Sequence, residues 1–303
     1  MSRKGSVKAT LAALGANAGI AVAKFVGFLI TGSSSMLGEA VHSVADTSNQ
    51  ILLLIGQRES RREPDRLHPF GYGRSRYFYS FVVALVLFTL GSVFAMYEGY
   101  HKITHPQELT SPTVAIAILV VAFVLEGLSL RTARRHSRPL KGSDSWWRFI
   151  RNSRTPELPV VLLEDSGALV GLVLAFAGVG LSTITGSAVW DGVATVGIGI
   201  LLGVIAVVLI IETHSLLIGE GATRDQEQAI RSALTQDPDV RDPIRIRTQY
   251  MGPEDMLVAA EVGMSATLPA GRVADIIDDA EERVRDAIPA ARIIYIEPDR
   301  EAD

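Results

Sequence analysis

Six stretches of this chain are apolar over lengths that match the thickness of a bilayer, and no other feature limits its possible folds as strongly. They lie near residues 9–30, 36–56, 78–100, 112–132, 158–182 and 188–211, and a helix needs about 20 residues to cross the hydrocarbon core. In lipid each backbone polar group must be satisfied within its own segment, so these runs predict helices. A hydrophobic content of 48%, only 20% charged residues and a mean hydropathy of +0.27 over 303 residues point the same way. The basic start before the first run has the look of a signal peptide. That run is longer than the ~7–15 residues of a signal-peptide core and contains Asn17 and Lys24, so an uncleaved first span is expected.

Charge gives the orientation. Between spans two and three lie Arg58, Arg61, Arg62, Arg66, Arg74 and Arg76, and between spans four and five lie Arg131, Arg134, Arg135, Arg138, Lys141, Arg148, Arg151 and Arg154. Of the opposite loops, only Lys102 contributes a cation. The positive-inside rule then puts the N-terminus, both basic loops and the C-terminal region in the cytoplasm, which an even number of spans permits. Trp190 and the pair Trp146-Trp147 fall where interfacial aromatic residues are expected. Small residues recur at Gly15, Ala16, Gly19 and Ala23 and at Gly192, Gly197, Gly199 and Gly203, a pattern that lets helix backbones approach closely. A transmembrane helical domain over residues 1–218 is expected.

From residue 219 to 303 the composition is that of a small soluble domain. Residues 225–235 read as a helix, 244–250 and 256–264 as strands around the turn Gly252-Pro-Glu-Asp255, and 292–297 as a last strand. Between the last two strands Val273, Ile276, Ile277, Ala280, Val284 and Ile288 form one apolar helix stripe. An open antiparallel sheet with two helices on one side is the expected packing. Acidic residues gather in this part of a chain whose net charge is −4, so nucleic acid is not an expected partner.

The chemistry lies inside the spans. Glu39, His42, Asp46, Asn49 and Gln50 fall within about a third of the helical circumference of span two. Ionisable groups in hydrocarbon are costly and by default mark a functional site, and His42 and Asp46, one turn apart, present a nitrogen and an oxygen on one face. Span five carries Glu164 and Asp165. Glu39 and Glu98, near span ends, read as structural or interfacial, and Asn17 and Asn49 as groups that orient a ligand. There is no cysteine, so His, Asp and Glu are the strong metal-binding side chains present. Neither a His-Glu-x-x-His motif nor a Ser or Lys nucleophile paired with a base occurs, so an enzyme is not expected, and no prosthetic group is implied.

Three segments together resemble the cation diffusion facilitators: Ser33-Ser-Ser-Met-Leu-Gly-Glu-Ala-Val-His-Ser-Val-Ala-Asp46, the loop Pro64-Asp-Arg-Leu-His-Pro-Phe-Gly-Tyr-Gly73, and Tyr97-Glu-Gly in span three. Val161-Leu-Leu-Glu-Asp-Ser-Gly-Ala-Leu-Val-Gly171 and Ile294-Tyr-Ile-Glu-Pro-Asp299 are most similar to the zinc transporter nine branch of that family. The resemblance implies a six-span bundle followed by a ferredoxin-like cytoplasmic domain through which two copies form a homodimer. It implies exchange of Zn²⁺ for protons, with the metal held between spans two and five.

His42 and Asp46 match the span-two ligand pair of the family and Asp165 the span-five carboxylate, but Val161 stands where a fourth ligand belongs. On the helical wheel Asp165 lies about 40° to one side of Val161 and Glu164 about 60° to the other, and helical side chains lean back over the preceding turn. Glu164 is therefore the expected replacement. One nitrogen and three oxygens make a harder site, at which Mn²⁺, Fe²⁺ and Co²⁺ are less easily excluded. Asp65 and His68 match two positions of a loop metal site, with Tyr72 where some relatives have His; a structural role for His68 fits equally. No His follows His214, so the C-terminal domain, with Glu261, Glu297 and Asp299, is expected to hold at most a weak oxygen site and to dimerise without tight zinc sensing. A non-transporting, metal-responsive scaffold is the alternative function. Compact loops suggest a bacterial plasma membrane.

Overall fold

The computed structural model describes residues 3–106 and 111–300; within them, the side chains of 3–14, 16, 17, 35, 86–88, 242 and 300 are not described. The chain divides into two units, Met1–Ile55 with Tyr79–Glu212, and Gly56–Phe78 with Thr213–Asp303.

Long helices make the first unit. α1 (Arg3–Thr31) and α2 (Ser34–Glu59) are followed by α3 (Ser75–Val82), a π-helical segment Val83–Phe88 and α4 (Thr89–Thr104). Then come α5 (Pro112–Lys141), the short α6 (Trp146–Asn152), α7 (Glu157–Thr185) and α8 (Val189–Ile218). Among the described residues, four helices are long and apolar enough to cross a membrane: Ser75–Thr104, Pro112–Lys141, Glu157–Thr185 and Val189–Ile218. The described part of α1 adds a shorter apolar stretch, Ala18–Thr31. α2 owes its lower hydropathy to its polar stripe. The helices outrun the expected spans at several ends, because a helix continues past the hydrocarbon wherever its residues favour it.

Two devices hold this unit together. Glycines let α4 and α8 touch backbone to backbone: a β-carbon on Gly99 would stand 2.6 Å from the Val196 nitrogen, and one on Gly192 2.9 Å from the Gly99 carbonyl. The Ser92 hydroxyl donates to the Gly199 carbonyl at 2.6 Å along the same seam. The N-terminal cluster of small residues behaves otherwise, since a β-carbon on Gly15 or Gly19 meets nothing within 4 Å.

The second device is the buried carboxylate of Asp191, which accepts from the Ser33 hydroxyl at 2.9 Å and from the Ser34 backbone N–H at 2.8 Å. Anions are favoured at helix N-termini, and this one fixes the start of α2. Gly32 turns the chain there with φ of 65°, and its carbonyl accepts from Lys102 Nζ at 3.0 Å.

The C-terminal part runs α9 (Arg224–Leu234), β1 (Val240–Gly252), β2 (Asp255–Met264), α10 (Ala270–Ala287) and β3 (Ala291–Arg300). Thr223 and Gln226 form a reciprocal capping box at the start of α9. Strand order is β1-β2-β3. β1 pairs antiparallel to β2, with Thr248 opposite Val258, but β2 and β3 are parallel, with Ala260 opposite Ile296. The antiparallel sheet expected from sequence is thus corrected to a mixed one. The cause is the connection: a strand, helix, strand crossover between sheet neighbours returns the chain in the same direction. Ile230, Leu234, Val258, Ile276, Ala280 and Val284 fill the core between helices and sheet.

A methyl added at Gly99 has no room, whereas one at Gly19 does. Gly99→Ala should lower stability by about 1–3 kcal/mol, the range for overpacking, seen as a fall in the thermal unfolding midpoint in detergent, with Gly19→Ala leaving it unchanged.

Candidate metal transport site

Within α2 the polar stripe faces inward. His42, Asp46 and Asn49 are buried, and His42 Nδ1 stands 3.4 Å from Asp46 Oδ1. On α7 Glu164 and Asp165 are buried as well, but they part company. The Glu164 carboxyl lies close to that of Asp46. Asp165 Oδ2 instead accepts from the Ser129 hydroxyl of α5 at 3.0 Å. Val161 is only half-buried. Of the two span-five carboxyls, Glu164 is the one beside Asp46, and Asp165 the one beside α5.

The atoms left over define a polar focus. His42 Nε2, Asp46 Oδ1, Glu164 Oε2 and both side-chain polar atoms of Asn49 are buried without a hydrogen-bond partner. Leaving such atoms unmade costs about 1–3 kcal/mol each, so their gathering on α2 and α7 calls for an explanation. Among the described residues, no three His, Asp or Glu side chains are drawn together as a formed metal cluster. The side chain of Asn17 lies outside the described residues.

Two buried charges next to this focus were not assigned to it from sequence. Lys24 of α1 is 0% exposed; its ammonium donates to Glu39 Oε2 at 3.0 Å and to the Ser43 hydroxyl at 2.8 Å. Glu126 of α5 lies 3.9 Å from the same nitrogen. Glu39 is therefore buried and ion-paired, not interfacial. Glu126 was legible: it is an ionisable residue in an apolar span, the test that singled out His42.

A cation efflux transmembrane domain matches residues 10–218, well over half of the chain. The chain belongs to the cation efflux family. Among its cation efflux relatives is the protein named proton-coupled zinc antiporter SLC30A9, mitochondrial, of Xenopus laevis, 36% identical over 266 residues that cover 86% of this chain and 47% of the relative. The human protein of that name is 35% identical over 263 residues, covering 86% and 46%. The cation-efflux pump FieF of Pectobacterium atrosepticum is 25% identical over 295 residues, covering 94% and 91%. The chain thus spans about half the length of these animal relatives.

The loop residues matched to a second metal position are arranged differently. Asp65 Oδ1 accepts from the backbone N–H of Leu67 at 2.9 Å and of His68 at 2.7 Å, while Oδ2 accepts from the Tyr72 hydroxyl at 2.5 Å. His68 Nδ1 is 3.4 Å from Asp65, and its ring packs on Tyr72 with centroids 4.4 Å apart. Both carboxylate oxygens accept hydrogen bonds from within the loop. In the C-terminal part Glu261 is paired with Arg245 at 3.7 Å, which draws it away from a role as metal ligand.

The Tyr72 hydroxyl first, and then the loop amides, hold the Asp65 carboxyl down at about 2. A carboxylate depressed in the folded state contributes order above its ordinary value and loses it as pH falls. The loop should keep protected amides at Leu67 and His68 until pH drops below about 4 and lose them progressively toward 2. Tyr72→Phe should move that loss to higher pH, as hydrogen exchange at these amides would register.

Proposed function

We propose that this protein moves divalent metal, zinc foremost, across a membrane in exchange for protons, with His42, Asp46 and Glu164 as ligands and Asp165 as the fourth. The observation that carries this reading is the set of buried, unpartnered atoms on His42, Asp46 and Glu164. They belong to two helices, α2 and α7, whose relative movement would make or break the site. Names of relatives that specify zinc and proton coupling support the same cargo.

The coupling follows from the donor set. Metal requires neutral imidazole and ionised carboxylates, so protons compete for the same atoms. A proton held by Asp46 or Glu164 is one that an arriving cation must displace. For Asp165 to join, it leaves the Ser129 hydroxyl and turns toward Asp46. With one nitrogen and three oxygens, the site favours Zn²⁺ while admitting Mn²⁺, Fe²⁺ and Co²⁺ more readily than an imidazole-rich one. Asn49 is placed to orient the ligands.

We further assign membrane crossing to α1 and α2, which completes six spans with both termini cytoplasmic. The bilayer is the bacterial plasma membrane, a reading favoured by the short loops. The C-terminal part is assigned as the homodimer contact, for which Tyr295 and Ile244 on the sheet remain exposed.

Purified protein in sealed proteoliposomes should accumulate zinc when a pH gradient is imposed. Asp46→Ala should abolish uptake, and Glu164→Gln should reduce it by about tenfold or more, at least the loss typical of groups that merely support a ligand. Wild-type protein that moves no metal would favour the scaffold reading, and Glu164→Gln with wild-type uptake would remove Glu164 from the ligand set.

A further inference from the structure

The metal focus is one of two polar stations stacked along the same helices. On α2, Glu39 precedes His42 by one turn; on α5, Glu126 precedes Ser129 by one turn; on α7, Gly171 follows Glu164 and Asp165 by nearly two. Glu39 Oε1 lies against Gly171, where a β-carbon would stand 2.6 Å from it. All three offsets point away from the basic ends of these helices: Arg58 ends α2, Arg138 and Lys141 end α5, and Arg148, Arg151 and Arg154 precede or adjoin α7. With the basic loops cytoplasmic, the Lys24 station sits on the far side of the metal site. The Asp191 cap on α2 lies farther still in that direction.

A cation leaving the metal site away from the cytoplasm therefore meets an ammonium before it meets open water. That ammonium is fully buried and bonded to one carboxylate and one hydroxyl, with a second carboxylate nearby. A buried ion pair is weak evidence for stability as such, and ionisable groups at membrane depth mark pathways. We propose that Lys24, Glu39 and Glu126 form the gate on the non-cytoplasmic side of the transport site. While Lys24 holds the two carboxylates, α1, α2 and α5 are tied together and the cargo faces a fixed like charge. When the tie opens, Glu39 and Glu126 are released as oxygen ligands that draw the cation outward. This rests on the transport reading above, for it assigns the exit side of that site.

The absence of cysteine from the chain provides a direct test. His42→Cys in the full-length protein reports access to the metal site through a membrane-impermeant thiol reagent applied to either side of sealed vesicles of known orientation. Reaction from the non-cytoplasmic side should be slow in this background. It should rise by about tenfold or more when Lys24→Met and Glu39→Gln are added, as a closed population loses its tie. The charge-swapped combination of Lys24→Glu with Glu39→Lys should return it to the slow rate.

An unchanged rate in the neutral pair, in protein that elutes as the parent does on size exclusion, overturns the gate, as does a charge swap that fails to restore closure. If the neutral pair does not fold, Glu126→Gln, which leaves the Lys24–Glu39 bond intact, should give a smaller rise; none there also overturns it. Labelling does not require metal to move, so loss of the transport reading would appear separately, as absent zinc uptake by the wild type.

Discussion

Charge inside hydrocarbon is expensive, and the transmembrane unit is organised by how that cost is met. Glu39, Asp46, Glu126, Glu164 and Asp165 are buried within helices α2, α5 and α7, and the ammonium of Lys24 is buried against Glu39 and Glu126. Lys24 pairs with Glu39 and lies near Glu126, while Asp46 and Glu164 lie close to each other. The remaining one rests on a serine hydroxyl. Such an acid-rich interior lacks countercharge of its own and is suited to a visiting cation. Apolar packing supplies the walls, but the unmet electrostatic demand gives the walls something to enclose.

The division of labour between Glu164 and Asp165 shows how local geometry sets chemistry. Adjacent residues on a helix point about 100° apart, so two neighbouring carboxylates address different helices. Asp165 turns to α5 and Glu164 to α2. On the transport reading proposed above, a valine at position 161 leaves Glu164 as the carboxyl on that flank of α7.

Much of this could be read from the chain, and what escaped did so for identifiable reasons. The long helices follow from apolar runs, and His42 and Asp46 stand out because polar residues are rare there. Glu126 meets the same criterion, but its partner Lys24 lies on another helix, α1, where spacing within α5 does not point. The Lys24–Glu39 bond joins residues on different helices, and no periodicity within either one encodes it. β3 runs parallel to β2 because α10 lies between them, a rule of connectivity that outweighs the resemblance to an antiparallel sheet. The Tyr72–Asp65 bond depends on the turn of a loop, with Gly71 at φ of 79°, which spacing alone does not disclose.

The contact between α4 and α8 has a mechanical side. Helices separated by side chains can repack by changing rotamers, sliding past one another in small steps. At Gly99 and Gly192 there is nothing between the two backbones to rearrange, so these helices are a single strut. Any motion that exposes the metal site first to one face and then to the other must be taken up where long, adjustable side chains span the gap.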